Sequence, residues 1–225
     1  MPQGQICTGL VCRRAGIVLV LWHTRPEGAA RWLGGRVGNA GITRKVKVNN
    51  RGAVLISSRD EAAVAVQLGR VPRGVRGVAH RCPCGLPDVV ETAPRLPDGT
   101  PFPTLFYLTC PRAAAAISTL ESSGLMREMT ARLAEDSQLK AAYTQAHDDY
   151  IARRDAAARE EGLEPLPRGT QSAGGMPERV KCLHALAAHE LAVPGSNPLG
   201  RAAVAAAGEW WSRGPCVSLS EEEPT

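Results

Sequence analysis

Three short strand-like segments followed by a long helical region restrict the fold more than any other feature of this 225-residue chain. The segments 75–80, 88–92 and 104–109 are rich in β-branched and aromatic residues, and turns dense in proline and glycine separate them. An antiparallel meander is the simplest way to connect such segments. After Cys110 the apolar residues recur at helical spacing. The sequence therefore predicts an α+β fold in which a small antiparallel three-stranded meander packs against a bundle of about five helices.

Start and stop signals define the predicted helices. Ser58 can cap a first helix that Gly69 ends, and Pro111 suits the first position of the helix that follows the strands. Asp136 or Ser137 can cap a long helix, and Pro177 is expected to start a late one. The predicted spans are 59–68, 113–120, 125–134, from about 137 to 159, 177–191 and a weaker 202–207.

Composition divides the chain into three parts. Residues 1–53 are rich in glycine and arginine without a regular apolar period, which predicts a basic, disordered N-terminal arm. An alternative is that translation starts at Val54 or Leu55. Residues 54–216 are expected to form a single α+β domain, and residues 217–225 an acidic disordered tail.

Charge and hydropathy limit the classes of partner. Residues 1–81 carry a net charge of +11 and residues 82–225 a net charge of −6, but few aromatic side chains alternate with the basic ones, so nucleic-acid binding is not expected. The longest apolar run, residues 16–22, is too short to cross a membrane. The pair Arg13-Arg14 before that run imitates a signal peptide, but no clear cleavage site follows. These features predict a cytoplasmic protein without membrane contact.

Cysteines are the residues with the strongest chemical implication. The chain has seven, and in a reducing compartment cysteines are more often ligands or redox groups than structural bridges. In the predicted meander, strands one and three end at the same edge of the sheet, so Cys82, Cys84 and Cys110 are expected to converge there. Cys110 also precedes a helix, whose N-terminal dipole would stabilise a thiolate. These three residues are candidate metal ligands.

A fourth ligand is needed to close a tetrahedral site, and Cys182 is our choice because it completes an all-sulfur set. His80 and His184 are reserve ligands. In a regular helix Cys182 and His184 would point about 200° apart, so only one of them is expected to reach an ion. Thiolates suit zinc and iron-sulfur clusters alike, so the metal stays undecided. Two alternatives are a redox pair of Cys82 and Cys84, and inert thiols buried in the core.

Basic residues flank two of these cysteines. Arg112 follows Cys110, and Arg179 and Lys181 precede Cys182. Together with the predicted helix starts at Pro111 and Pro177, they could form an anion-binding pocket. The alternative is that these side chains are solvated or paired with acids. The sequence contains no Walker loop, dinucleotide fingerprint or Gly-x-Ser-x-Gly elbow, so it lacks the signatures of the commonest nucleotide enzymes and serine hydrolases.

Several strings between about Asp60 and Cys216 resemble an uncharacterised actinobacterial family, domain-of-unknown-function family 501. The strings are QLGR (67–70), VAHRCPCG (78–85), DGTPFPT (98–104), LTCP (108–111), GMPERVKCLHA (175–185), NPLG (197–200) and WW (210–211). The resemblance implies a bacterial cytoplasmic protein, often encoded beside a septum-formation initiator and an exopolyphosphatase. It implies no catalytic role for any residue.

Two functions are compatible with these observations. In the first, a Cys-lined zinc or iron-sulfur site beside a cationic pocket binds or acts on an anionic, for example phosphorylated, small molecule. In the second, the metal is structural and the domain is an adaptor for a protein partner of the cell-division or polyphosphate machinery. A site closed by four protein ligands favours the adaptor, whereas three ligands and an open position favour chemistry.

Overall fold

The structure is a computed structural model that describes residues 56–96 and 98–219. Three strands form one antiparallel sheet in the order β1-β2-β3. The strands are β1 Val75–Arg81, β2 Pro87–Thr92 and β3 Phe106–Leu108, and the helices are α1 Ser58–Leu68, α2 Pro111–Ser122, α3 Leu125–Glu135, α4 Ser137–Glu160, α5 Leu183–Ala192 and α6 Pro198–Ala207. The predicted α+β class and meander are confirmed, with six helices in the described part instead of about five. The predicted N-terminal arm and the last residues of the tail lie outside the described residues.

The central strand β2 pairs with β1 on one side and with β3 on the other. Val89 lies opposite Leu108 on β3, and Val90 lies opposite both Tyr107 on β3 and Val78 on β1. Residues 82–86 connect β1 to β2, and the N–H of Cys82 donates to the carbonyl of Leu86 at 3.0 Å. Because β2 separates the two outer strands, the end of β1 and the end of β3 reach the same sheet edge about two strand spacings apart, roughly 9.5 Å.

Helix α1 begins one residue earlier than the sequence indicates. Its N-cap is Ser57, whose hydroxyl accepts from the N–H of Asp60 and donates to the Asp60 carboxylate. Asp60 is the third residue of the helix, but its carboxylate accepts from the Ser57 hydroxyl, whereas a capping box uses the backbone N–H of the cap. The arrangement is therefore not the capping box that the sequence predicts with Glu61. Gly69 ends the helix in the left-handed conformation at φ 65°, as predicted.

The core takes buried side chains from β2, β3 and helices α2 to α6. The inner face of α5 is fully buried at Leu183, Leu186 and Ala187, and α6 contributes Leu199 and Ala203. Fully removing each of these three leucine side chains from water stabilises the fold by about 1.5 to 3 kcal/mol. This burial fixes the first turn of α5, which contacts α2 at Ala114, Ser118 and Glu121.

The predicted start of α5 at Pro177 is wrong, because the helix begins at Leu183. The preceding segment is folded into turns around Gly174, whose carbonyl accepts from the N–H groups of Lys181 (2.6 Å) and Cys182 (3.3 Å). Gly174 has φ 63°, a conformation that favours glycine. Cys182 is therefore the N-cap of α5 and not a residue within the helix.

Helix α6 begins at Pro198, four residues before its predicted start at residue 202. Asn197 caps it by accepting from the N–H of Gly200 at 2.8 Å, and Pro198 occupies the first helical position.

Among residues 56–96 and 98–219, none of the helices has both the length and the hydropathy that a membrane span requires.

Candidate metal centre

Glu121, Cys182 and His184 bring three metal-ligating atoms together where α2 meets the start of α5. A carboxylate oxygen, a sulfur and an imidazole nitrogen lie within 4.8 Å of one another. All three residues are partly buried. Among residues 56–96 and 98–219, this is the only group of three or more His, Cys, Asp or Glu residues that meets this distance.

The backbone at the helix start allows Cys182 and His184 to converge. Cys182 has φ −152° and ψ 111°, an extended conformation, whereas His184 is the second residue of α5. The expectation that the two side chains point about 200° apart applies only within a regular helix. That expectation is wrong here, because the turn from extended to helical backbone falls between the two residues.

The imidazole of His184 has a defined orientation. Its Nε2 lies 3.1 Å from the carbonyl oxygen of Ala114 and 3.3 Å from the hydroxyl of Ser118. A carbonyl only accepts, so Nε2 carries the hydrogen. The other nitrogen, Nδ1, lies 3.1 Å from Oε1 of Glu121, which also only accepts when ionised. A cation, either a proton on Nδ1 or a metal ion, is therefore needed on this side of the ring.

Glu121 is the member of the cluster that sequence reasoning did not identify. Its Oε1 also accepts from the N–H of Leu183 at 2.6 Å, so it satisfies one of the unpaired donors at the start of α5. A glutamate near the end of a helix has no local signal for this role. The contact between α2 and α5 that brings it there depends on tertiary packing.

Charge in the cluster keeps His184 protonated when no metal is bound. The interaction with Cys182 is the main cause that raises the pKa of His184 to about 9, and Glu121 adds to it, while burial opposes the increase. At neutral pH the imidazolium thus occupies the place of a cation between a carboxylate and a sulfur. A metal ion that binds through Nδ1 must displace this proton.

The other predicted sulfur ligands lie in different surroundings. The Cys82 thiol interacts with that of Cys84, and the Cys110 thiol with that of Cys216. Burial raises the pKa of Cys82 and of Cys110 to about 12, so both are protonated thiols at neutral pH. The predicted convergence of Cys82, Cys84 and Cys110 is not found: they lie at one edge of the sheet, but β2 separates Cys82 from Cys110, and within the described residues no group of three ligands closer than 4.8 Å includes them.

Cys182 is remote from Cys110. Cys110 is the N-cap of α2, whereas Cys182 lies beside Glu121 in the last turn of that helix. The eleven residues from Cys110 to Glu121 extend roughly 16 Å at about 1.5 Å per residue. The structure does not bring the four predicted sulfur ligands to one point.

His80, the other reserve ligand, pairs with a buried carboxylate. Its Nδ1 lies 2.7 Å from Oδ1 of Asp88, whose side chain is fully buried. This pair lies on neighbouring strands of the sheet and does not share surroundings with Cys182.

The three predicted anion-binding residues do not form one pocket, because they lie at two different helix starts. The guanidinium of Arg112 donates to the carbonyl of Gly214 at 2.8 Å, at the start of α2. Arg179 and Lys181 are exposed near the start of α5, and Lys181 is adjacent to Cys182. Only the latter two are close in sequence to the metal-ligating cluster.

At the junction of α2 and α5 this α+β domain thus holds a carboxylate, a thiol and an imidazole, which are residue types that can coordinate a metal ion. The family model described as "Protein of unknown function (DUF501)" matches residues 78–205, which include all three residues of the cluster. This match covers more than half of the chain, and the protein belongs to that family. Comparisons with curated proteins and with solved structures found no significant match.

Proposed function

We propose that this domain binds one zinc ion through Glu121, Cys182 and His184, and that the metal in turn binds an anionic ligand. The observation that carries the proposal is the convergence of the three ligand atoms within 4.8 Å. The protein would need only small side-chain movements to reach zinc–ligand distances of about 2.0 to 2.3 Å.

The chemistry of the ligands favours zinc over an iron-sulfur cluster. Carboxylate, imidazole and thiolate all coordinate zinc, and mixed sets are common in its sites. Iron-sulfur clusters are held mainly by several cysteine thiolates. The cluster offers a single sulfur, from Cys182.

The contacts of His184 also support metal binding. Metal-binding histidines usually donate their second ring N–H to a carbonyl or a carboxylate, which fixes the tautomer. The Nε2–H of His184 donates to the carbonyl of Ala114, and Nδ1 faces Glu121. The ring is thus held with its ligating nitrogen toward the other two ligands.

Three protein ligands leave one position of a tetrahedral zinc ion open, which is the arrangement of catalytic sites. A metal at such a position polarises a bound carbonyl or phosphoryl oxygen, or lowers the pKa of a bound water. The exposed ammonium group of Lys181, next to Cys182, would add positive charge for an anion. A phosphorylated small molecule fits this combination.

The direct test is calorimetric titration of the full chain with Zn²⁺. We expect one site per chain, and a loss of affinity of at least about 10-fold in both C182S and H184Q, in line with the cost of losing a ligand or its support. C84S is the matched control, because Cys84 is a partly buried thiol outside the cluster. Unchanged affinity in C182S, or loss of binding in C84S, would contradict the proposed ligands.

A structural role for the same metal is the second candidate. It is supported by the bond from the Leu183 N–H to Glu121, which joins α2 to α5. In this case the domain is an adaptor for a protein partner, for which the family resemblance suggests the division or polyphosphate machinery. Removal of zinc by a chelator would then unfold the domain, as followed by circular dichroism, whereas the first candidate predicts that the fold persists.

A further inference from the structure

A groove lies between the end of α1 and the loop that joins β2 to β3, and it shares no lining residue with the metal-ligating cluster. The groove has a volume of about 510 Å³, which is within the usual range for small-molecule sites. It is lined by Arg70, Val71, Arg73, Leu96 and Phe102. A smaller cavity of about 30 Å³ shares three of these residues and reaches the sheet at Val90, Thr92 and Tyr107.

Two arginines give the groove its charge. Within the described residues, neither Arg70 nor Arg73 forms a hydrogen bond or an ion pair through its side chain, and no lining residue is acidic. By contrast, Arg76 on β1, which follows these arginines in the chain, forms ion pairs with Glu91, Glu160 and Glu161.

One carboxylate is near enough to affect the electrostatics of the groove. Asp98 interacts weakly with Arg73, and its Oδ1 accepts from the N–H of Thr100 at 2.9 Å. Asp98 is fully exposed, so water screens its charge. The two guanidinium groups therefore leave net positive charge at the groove.

Apolar surface adjoins this charge. Val71 is 75% exposed, which is high for a large aliphatic side chain, and Phe102 and Tyr107 present aromatic rings to the connected cavities. An aromatic or aliphatic ligand would cover this surface and gain about 25 cal/mol for each Å² removed from water.

Backbone hydrogen bonds hold the walls in place. The N–H of Phe102 donates to the carbonyl of Pro94 at 2.8 Å, and the N–H of Ala93 donates to the carbonyl of Gly74 at 2.7 Å. The second bond connects the chain after Arg73 directly to the end of β2. The groove is thus formed before any ligand binds, which lowers the entropic cost of binding.

We propose that the groove binds a small organic anion, with its phosphate or carboxylate group on Arg70 and Arg73 and its apolar or aromatic body against Val71 and Phe102. Guanidinium groups bind such anions through paired, charge-assisted hydrogen bonds. The inference does not depend on the zinc site, because the two sites share no residue.

The probe for the test is 1-naphthyl phosphate, which combines a phosphate with an aromatic body. Its binding to the full chain in metal-free buffer is measured by calorimetry and compared with that of inorganic phosphate and of uncharged 1-naphthol. We expect the combined probe to bind at least about 10-fold more tightly than either part, because it uses both halves of the groove. Equal affinity for inorganic phosphate would contradict the apolar contact, and equal affinity for 1-naphthol would contradict the role of the arginines.

Variants locate the binding. The double variant R70A/R73A is expected to weaken binding of 1-naphthyl phosphate at least about 10-fold, and F102A to weaken it less. R59A is the matched control, since Arg59 is exposed at the other end of α1. Unchanged affinity in R70A/R73A, or an equal loss in R59A, would overturn the proposal. Zinc titration of R70A/R73A should match the wild type, which separates this test from that of the metal centre.

Discussion

Oε1 of Glu121 lies 3.1 Å from Nδ1 of His184 and joins the last turn of α2 to the first turn of α5. The same oxygen accepts from the N–H of Leu183, so one carboxylate both caps a helix and faces an imidazole. Glu121 therefore contributes both to the stability of this junction and to the proposed metal binding.

Replacement of Glu121 by glutamine should destabilise the domain by about 1 to 2 kcal/mol, because the charge that holds the Leu183 N–H and the imidazolium is lost. The measurement is urea denaturation of metal-free protein at pH 7. E135Q is the control, since Glu135 is an exposed residue at the end of α3. An equal effect of the two substitutions would show that the Glu121 contacts do not stabilise the fold.

The stability that His184 contributes should depend on pH. Its pKa is raised from 6.5 to about 9 in the folded protein, so the folded state binds a proton more tightly than the unfolded state. This contribution is fully present below pH 6.5 and is lost as the pH increases toward 9. The difference in free energy of unfolding between wild type and H184Q should therefore decrease from pH 6 to pH 9. A difference that grows over this range would contradict the assigned charge.

Replacement of Cys182 by serine should lower the pKa of His184, because the interaction with Cys182 is the largest cause of its increase. In this variant the contact with Glu121 still raises the pKa of His184, while burial opposes the increase. Proton NMR of the imidazole, followed against pH in metal-free protein, measures the change. C84S should leave the titration where it is in the wild type. An unchanged pKa in C182S would mean that the sulfur and the ring do not interact.

Substitution of Gly200 by alanine should destabilise the domain by about 1 to 3 kcal/mol. A Cβ at this position would overlap the carbonyl of Leu186, and this backbone atom cannot move aside as a side chain can. Thermal or urea denaturation measures the effect. A205G is the control, because Ala205 is exposed on the same helix. Its free energy of unfolding should decrease by about 1 kcal/mol from helix propensity alone. A G200A variant as stable as the wild type would show that α5 and α6 do not approach so closely.

Local signals were sufficient to predict much of the fold. Asp136 accepts from the N–H of Leu139 and caps α4 as expected, and Pro111 begins α2. These signals depend on residues close in sequence. The start of α5 at Leu183 was missed because Gly174 organises the preceding turns through contacts that no helical pattern encodes.

The site was harder to predict than the fold. Cys182 and His184 were both among the candidate ligands, but a continuous helix was assumed to separate their side chains. Glu121 was absent because its position depends on packing between elements about 60 residues apart in the chain. The meander places Cys82 and Cys110 at one edge of the sheet, but β2 lies between them. The pattern of strands and turns in the sequence does not reveal the distance between the two thiols.

The most direct measurement is a crystal structure of the zinc-loaded protein with anomalous scattering data at the zinc edge. We expect one anomalous peak per chain, within about 2.0 to 2.3 Å of Sγ of Cys182, Nδ1 of His184 and a carboxylate oxygen of Glu121. A peak at Cys82, Cys84 or Cys110 instead, or no peak at the junction of α2 and α5 in crystals saturated with zinc, would contradict it.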